Sequence, residues 1–304
     1  MQLFEDVIDD TPGHSTIRLV NADAMNALGK LGGESVHLCV TDPPYFLDGL
    51  DSKWRKGSQK KEGVIGSLPV GMRFDPKQGK NLQCFMQAIS EKLINVLVPG
   101  AFALFFSQPR LAGRMSVGIE DAGFEIRDQL AWRFTKKSQF KAFTMDHFID
   151  KIKYNDVEKR EIKLSMKNRR TPQLRPQFES IILAQKPKDG THIDNWLEHE
   201  TGLIDSSQLL DGNLPSTVLT VEKPDKEDFN KHLTVKPLKL IEYLIRLFSR
   251  EGQSVIDPFL GSGTTAVACH HTKRSCIGIE INPDYIRLAE QRLRHHFCGY
   301  YESP

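Results

Sequence analysis

No two cysteines in this chain are spaced as Cys-x-x-Cys. The five present, Cys39, Cys84, Cys269, Cys276 and Cys298, are odd in number and scattered. That excludes a disulfide framework of the secreted kind and fits reduced thiols. Zinc-site spacing is also missing, so Cys269, His270, His271 and Cys276 read as a helix end followed by a buried strand, and no metal is expected. The segment Met1 to Asp10 is acidic and lacks the apolar run of a signal peptide. The longest apolar stretch, Leu93 to Phe106, is broken by Asn95 and Pro99-Gly100 and is too short to span a bilayer. A cytoplasmic protein without membrane segments is therefore expected. Internal repeats and low-complexity tracts are absent as well.

What is present is an ordinary globular composition. Of 304 residues, 39% are hydrophobic and 26% charged, enough for one large α/β domain. The net charge of +2, from 41 basic and 39 acidic residues, says nothing about partners as a total. Its distribution does. Residues 133–175 hold 13 Lys/Arg against 5 Asp/Glu, while 189–231 hold 3 against 10. A nearly neutral chain has separated its charge into a basic insertion and an acidic connector.

The apolar pattern alternates between helix and buried strand. Val36 to Val40 reads as a short buried strand running into Thr41-Asp42-Pro43-Pro44-Tyr45. Leu82 to Leu97 carries apolar residues at helical spacing and is ended by Pro99-Gly100, and Ala101 to Phe106 is the continuous apolar run of a strand buried on both faces. Further strands are predicted from Gly123-Phe124 to Trp132, at Ser180–Ala184, Gln253–Ile256 and Ser275–Ile279. Helices are predicted over Pro237–Arg250, from Thr264, and from Asn282-Pro283, the last with Tyr285, Leu288, Ala289 and Leu293 inward. This is the rhythm of a doubly wound, mainly parallel α/β sheet.

Two motifs carry chemistry. Asp257-Pro258-Phe259-Leu260-Gly261-Ser262-Gly263-Thr264-Thr265-Ala266 lies between a strand and a helix, where glycines let the backbone approach a ligand and the helix N-terminus offers N–H groups. Glu280 closes the next strand at the spacing of a ribose-hydroxyl ligand. No lysine follows the second glycine, so this is not a phosphate-binding P-loop. Alone, the pattern also suits a nicotinamide or flavin enzyme.

The second motif, Asp42-Pro43-Pro44-Tyr45, is more specific. Its prolines hold the backbone extended, so the Asp42 carboxylate and the Pro43 carbonyl project from a strand end as two acceptors. Aimed at one –NH₂ group, they would fix both hydrogens and leave the nitrogen lone pair facing an electrophile. Tyr45 offers a ring for a base to stack on, with Phe46 beside it.

The pair resembles the amino-methyltransferases of DNA, whose adenine members commonly carry Asp-Pro-Pro-Tyr and whose cytosine-N4 members more often carry Ser-Pro-Pro-Tyr. The catalytic motif precedes the cofactor loop, which is similar to the permuted β group. His232-Leu233-Thr234-Val235-Lys236-Pro237 resembles that family's His-x-Thr-x-Lys-Pro element, with Leu233 in place of a common proline. The resemblance implies a circularly permuted Rossmann-like methyltransferase fold with an inserted DNA-recognition region. It implies S-adenosylmethionine as cofactor, bound by Asp257, Phe259, Gly261, Gly263, Thr264, Thr234 and Lys236, with Glu280 on the ribose. Asp23 matches a less specific acidic position that approaches the cofactor; a surface aspartate fits it equally.

Three segments follow: 1–134 as the catalytic half of the core, 135–175 as the basic insertion, and 176–304 as the remainder. The last comprises the acidic connector 189–231 and the cofactor-binding half 232–296. DNA contacts are expected from Lys136, Lys137, Lys141, Arg169, Arg170 and Arg175, with the loop 48–66 able to close over DNA or cofactor. The expected reaction is site-specific methylation of adenine N6, with the base flipped from the duplex and the methyl transferred directly. No cysteine follows a proline, which argues against a covalent cytosine-C5 mechanism. The alternatives are a cytosine-N4 methyltransferase, a nucleotide-dependent oxidoreductase, which leaves Asp42 to Tyr45 unexplained, and a DNA-binding protein without catalysis. A cognate restriction endonuclease and a homodimer are the protein partners the resemblance suggests.

Overall fold

The computed structural model describes residues 6–7, 15–44, 76–136, 142–172, 174–224 and 235–299. Its strands are β1 (Asp6–Val7), β2 (Ile17–Asn21), β3 (Val36–Thr41), β4 (Leu97–Ser107), β5 (Glu125–Arg133), β6 (Phe178–Gln185), β7 (Val218–Thr220), β8 (Ser254–Asp257) and β9 (Ser275–Glu280). Its helices are α1 (Ala24–Leu28), α2 (Pro76–Val96), α3 (Pro109–Asp121), α4 (Asp146–Ile149), α5 (Asp156–Ser165), α6 (His192–His199), α7 (Leu238–Phe248), α8 (Thr264–His271) and α9 (Pro283–Gly299). All the described strands join one sheet in the order β1-β2-β9-β8-β3-β4-β6-β5-β7. The central five, β2, β9, β8, β3 and β4, run parallel. Strand β6 is antiparallel to both β4 and β5, and β1 is antiparallel to β2.

Side-chain alternation divides the core into two layers. Phe102, Leu104 and Phe106 of β4 point to one face with α7, α8 and α9, whereas Ala101, Ala103 and Phe105 point to the other with α1, α2 and α3. The sheet is therefore covered by helices on both sides, as the continuous apolar strands predict. Among the described residues no helix is long and apolar enough to cross a membrane.

One boundary departs from expectation. Pro99-Gly100 does not separate helix from strand: α2 stops at Val96, and β4 begins at Leu97 with both residues inside it. The pairing with β3 jumps from Val36↔Leu97 to Leu38↔Phe102, so the extra backbone forms a bulge. Gly100 sits there at φ +75°. Both carbonyls at the bulge are engaged: Thr201 Oγ1 donates to Pro99 O at 2.6 Å and Gln185 Nε2 to Gly100 O at 2.9 Å. The acidic connector thus starts as a packed element, with α6 and Asn195 seated on the bulge. Farther on it supplies β7, parallel to β5 at the sheet edge.

The basic insertion leaves the sheet after β5 and returns into β6. Since β6 begins where β4 ends (Ser180↔Ser107), the insertion emerges at the same sheet edge as the end of β3. Its stem is paired, with Phe134 N donating to Gln177 O at 2.9 Å, and Thr171 N to Phe143 O at 3.0 Å. Helix α5 is held by a capping box between Asn155 and Glu158 and has no buried residue, so it stands in solvent rather than on the core.

The bulge supplies a test. A Cβ at Gly100 would lie 2.4 Å from Asn195 Nδ2, in a backbone region that disfavours side chains. Gly100→Ala should lower stability by about 1–3 kcal/mol, read from urea unfolding. An unchanged midpoint would show that the bulge can relax.

Candidate active site

The sheet order brings together two motifs far apart in the chain. From β3 the chain crosses through α2 to β4 on one side, and from β8 through α8 to β9 on the other. The order in which successive strands are added therefore reverses between β3 and β8, and the crevice beyond the carboxyl ends of two such strands is where parallel α/β sheets bind ligands. Asp42 follows β3 into that crevice, and the glycine loop follows β8.

A buried carboxylate joins them. Asp257 accepts from Thr41 Oγ1 at 2.7 Å, from Thr265 Oγ1 at 2.7 Å and from Phe259 N at 3.0 Å. It is 4% exposed. Burial pushes its pKa up to about 6, against the hydrogen bonds from Thr265, Thr41 and Phe259. Its two oxygens thus build the loop and fasten it to the strand carrying Asp42.

The loop itself turns through Gly261 (φ +55°) and Gly263 (φ +85°) into α8. A Cβ on Gly263 would come within 2.7 Å of the Ala289 Cβ, so this glycine lets α9 pack against the loop. Thr264, the first residue of α8, is buried, and its Oγ1 accepts from Arg292 Nη1 at 3.0 Å; the same nitrogen donates to Ser262 O at 2.8 Å. Phe259 packs its ring near Phe85, centroids 5.9 Å apart. Glu280 ends β9 half-buried, accepting from Gly261 N at 2.9 Å and Asn282 N at 2.8 Å. Burial raises its pKa, with those amides opposing. Asp23 caps α1 by accepting from Asn26 N at 3.2 Å, one residue past Ala22, whose N donates to Glu280 O at 3.1 Å. Asp23, Glu280 and the glycine loop therefore share one end of the crevice.

On the other side of Asp42 lies a row of charges. Lys236, buried at 9% exposure, bonds Asp42 Oδ2 and lies 3.6 Å from Glu179 Oε2. Glu179 Oε1 in turn accepts from Lys223 Nζ at 3.2 Å. Burial alone would favour a neutral Lys236; the carboxylates of Asp42 and then Glu179 outweigh it and hold its pKa above the usual lysine range. Lys236 Nζ stands 5.2 Å from the Phe106 ring centre, and Lys223 Nζ 3.9 Å from that of Phe134.

Some expected site residues fall outside this cluster. Tyr45, Phe46, the loop 48–66, Thr234, Lys137 and Lys141 lie outside the described residues. Lys136, Arg169 and Arg170 are exposed on the insertion, with Arg170 Nη1 3.4 Å from Ala142 O. Arg175 Nη2 donates to Thr135 O at 2.8 Å, across the stem. Sequence reasoning overlooked Glu179, Lys223 and Arg292. Only Arg292 had a signal, an arginine on the inward stripe between Ala289 and Leu293.

A doubly wound sheet with a nucleoside-type loop at its switch point, facing an Asp-Pro-Pro strand end, defines a Rossmann-like methyltransferase. The DNA methylase family profile matches residues 36–291. The type II methyltransferase M.HindIII of Haemophilus influenzae is 30% identical, over 90% of this chain and 94% of that protein. Among solved structures, TTHA0409 of Thermus thermophilus complexed with S-adenosyl-L-methionine has a TM-score of 0.55 at 20% identity, covering 92% of this chain and 94% of that one. The cytosine-N4-specific PvuII DNA methyltransferase has a TM-score of 0.59 at 16% identity, covering 97% and 95%. The chain belongs to the N6/N4 DNA methylase family.

The buried Asp257 makes stability depend on pH. Its folded pKa of about 6 lies above its unfolded value of 3.8, so the native state holds the proton more tightly. The favourable contribution is complete below about pH 4 and is lost as pH rises through about 6, ~3 kcal/mol in all. Asp257→Asn should remove this decline between pH 4 and pH 6.5 in urea unfolding. A variant whose decline matches the parent would place the titration elsewhere.

Proposed function

We propose that this protein transfers a methyl group from S-adenosylmethionine to the N6 amino group of adenine in a specific DNA sequence, on a base flipped from the duplex. The observation that carries it is the position of Asp42: at a strand end, one residue after the threonine fastened to the cofactor loop. An exocyclic amine conjugated to a purine is a weak nucleophile. Asp42 and the Pro43 carbonyl accept its two hydrogens, localise its lone pair and direct it across the switch point, with Tyr45 as the stacking ring. Such positioning supplies roughly 7–11 kcal/mol of a bimolecular barrier. Acceptors preorganised toward the positive charge that grows on nitrogen add to it.

The residues at the switch point fit the cofactor. A positive-φ glycine turn at a helix N-terminus leaves backbone close to a ligand, and Glu280, bonded by the amides of Asn282, Gly261 and Ile281, keeps acceptor capacity for a ribose hydroxyl. Asp23, Phe259, Gly261 and Thr264 complete that side, and the motif resemblance adds Thr234; Asp257 and Gly263 shape the loop. When bound, S-adenosylmethionine supplies an electrophilic methyl on a sulfonium. With it bound, the amine nitrogen would take the methyl as the S–C bonding pair returns to sulfur, and the proton that the nitrogen sheds would pass to the Asp42 carboxylate or to water.

The basic insertion, on the same sheet edge, is the reading's DNA contact: Lys136, Lys137, Lys141, Arg169, Arg170 and Arg175 for phosphates and bases. Similarity to a type II methyltransferase supports a role beside a cognate restriction endonuclease. The resemblance carried by the sequence motifs is the ground for reading this protein as a cytoplasmic enzyme that pairs as a homodimer.

Labelled S-adenosylmethionine and mixed-sequence DNA, followed by nucleoside analysis, test the base. The expected product is N6-methyladenine; N4-methylcytosine would transfer the mechanism to cytosine, and unlabelled DNA would end the proposal. Asp42→Ala should fall below about a tenth of parental activity, ~1.4 kcal/mol of barrier, with cofactor affinity within a few-fold.

The DNA surface has its own test. Neutralising Lys136, Lys137, Arg169 and Arg170 together should flatten the log–log salt dependence of DNA binding by about 3.6, ~0.9 for each phosphate contact. Substituting Asp225, Glu227 and Asp228 in the acidic connector should leave that slope unchanged. A larger effect from the acidic set would move the DNA to the opposite side of the core.

A further inference from the structure

The resemblance assigns Lys236 to the cofactor, but its neighbours lie elsewhere. In the sheet, the cofactor loop and Glu280 occupy the β8 and β9 side of the switch point. The ammonium of Lys236 instead reaches Asp42 after β3 and Glu179 on β6, over the Phe106 ring of β4. These all lie on the opposite side. We propose that Lys236, held in turn by Glu179, is a positioning residue for the Asp42 carboxylate. The inference rests on the reading of Asp42 as amine acceptor and deepens it.

A carboxylate on a loop beyond a strand is free to rotate, and one bonded to a buried ammonium is not. Lys236 is suited to the task because it stands just before α7: Leu240 N and Ile241 N donate to Pro237 O at 3.1 and 3.2 Å, and the helix behind them is packed into the core. A carboxylate accepts about four hydrogen bonds, so an ammonium and an amine can share one.

An unshared ammonium would oppose the positive charge that develops on the substrate nitrogen. Glu179 divides that ammonium between two carboxylates, and Lys223 balances Glu179 from the far side. The result is an alternating row, Asp42, Lys236, Glu179 and Lys223, with no net charge. Phe106, Trp132 and Phe134 form its floor, the first two 6.3 Å apart edge-on and the last two 5.3 Å apart.

The test uses the full-length protein on duplex DNA, with kcat, KM for DNA and calorimetric Kd for S-adenosylmethionine. Lys236→Met should lower kcat by roughly tenfold or more and leave the cofactor Kd within about twofold, which also reports a folded site. Lys236→Arg should recover part of the loss. Glu179→Gln should lower kcat by roughly three- to tenfold, and the double variant Lys236→Met/Glu179→Gln should be no worse than Lys236→Met alone. Weakened cofactor affinity with parental kcat at saturation would make Lys236 a cofactor ligand and overturn the proposal. Additive losses in the double variant would overturn the coupling to Glu179. Asp42→Ala separates the two readings: if it is active, the amine-acceptor assignment fails, and if it is inactive beside a fully active Lys236→Met, only the positioning role fails.

Discussion

One buried hydrogen bond, from the Thr41 hydroxyl to the Asp257 carboxylate, governs the geometry of the whole site. Its partners are 216 residues apart in the chain and sit at the ends of adjacent strands. Everything that must meet in the crevice is placed relative to this contact. Asp42 follows Thr41 by one residue, and Phe259 and the glycine turn follow Asp257. Neighbouring parallel strands lie about 4.8 Å apart, so the two halves of the site are registered by the sheet itself and locked by a side chain at its edge. The lock requires an acidic group in the interior, which is why Asp257 is reluctant to ionise.

The switch point divides the labour. On the β8 and β9 side the crevice is built from backbone: amides of Gly261 and Asn282 on Glu280, and a turn braced from below by Arg292. On the β3, β4 and β6 side it is built from formal charges over aromatic rings. The first arrangement suits a ligand that is the same in every turnover. The second suits a group whose charge changes during one, because alternating ions redistribute field without a net charge to desolvate.

Much of this was legible in the residues. Strands buried on both faces announce themselves as unbroken apolar runs, so Ala101 to Phe106 and Ser275 to Ile279 lie within β4 and β9. The errors arise where tertiary contacts overrule a local signal. Pro99-Gly100 has the composition of a stop, yet Thr201, Gln185 and Asn195 turn it into a bulge inside a strand. Helix α3 is hidden because Gly118 interrupts its apolar face and Gly113 lowers its helix propensity, and β2 because Arg18 and Asn21 punctuate a five-residue strand. In the site, Asp42 and Asp257 stand in motifs. Glu179 precedes the apolar run of its strand and Lys223 sits in an acidic stretch; only folding brings them beside Lys236.

The paired stem of the insertion bears on how such a protein diverges. Phe134 and Gln177 are held together by the last rungs of two neighbouring strands, whatever the chain does between them. Helix α5 gives nothing to the core, and lengthening a closed loop costs only a slowly growing entropy. Substitutions, insertions or a wholesale exchange between these two residues would leave the sheet, the threonine lock and the charge row untouched. The architecture thereby separates two evolutionary clocks: the sheet and its charge row are frozen by packing, while the segment above them is free to drift.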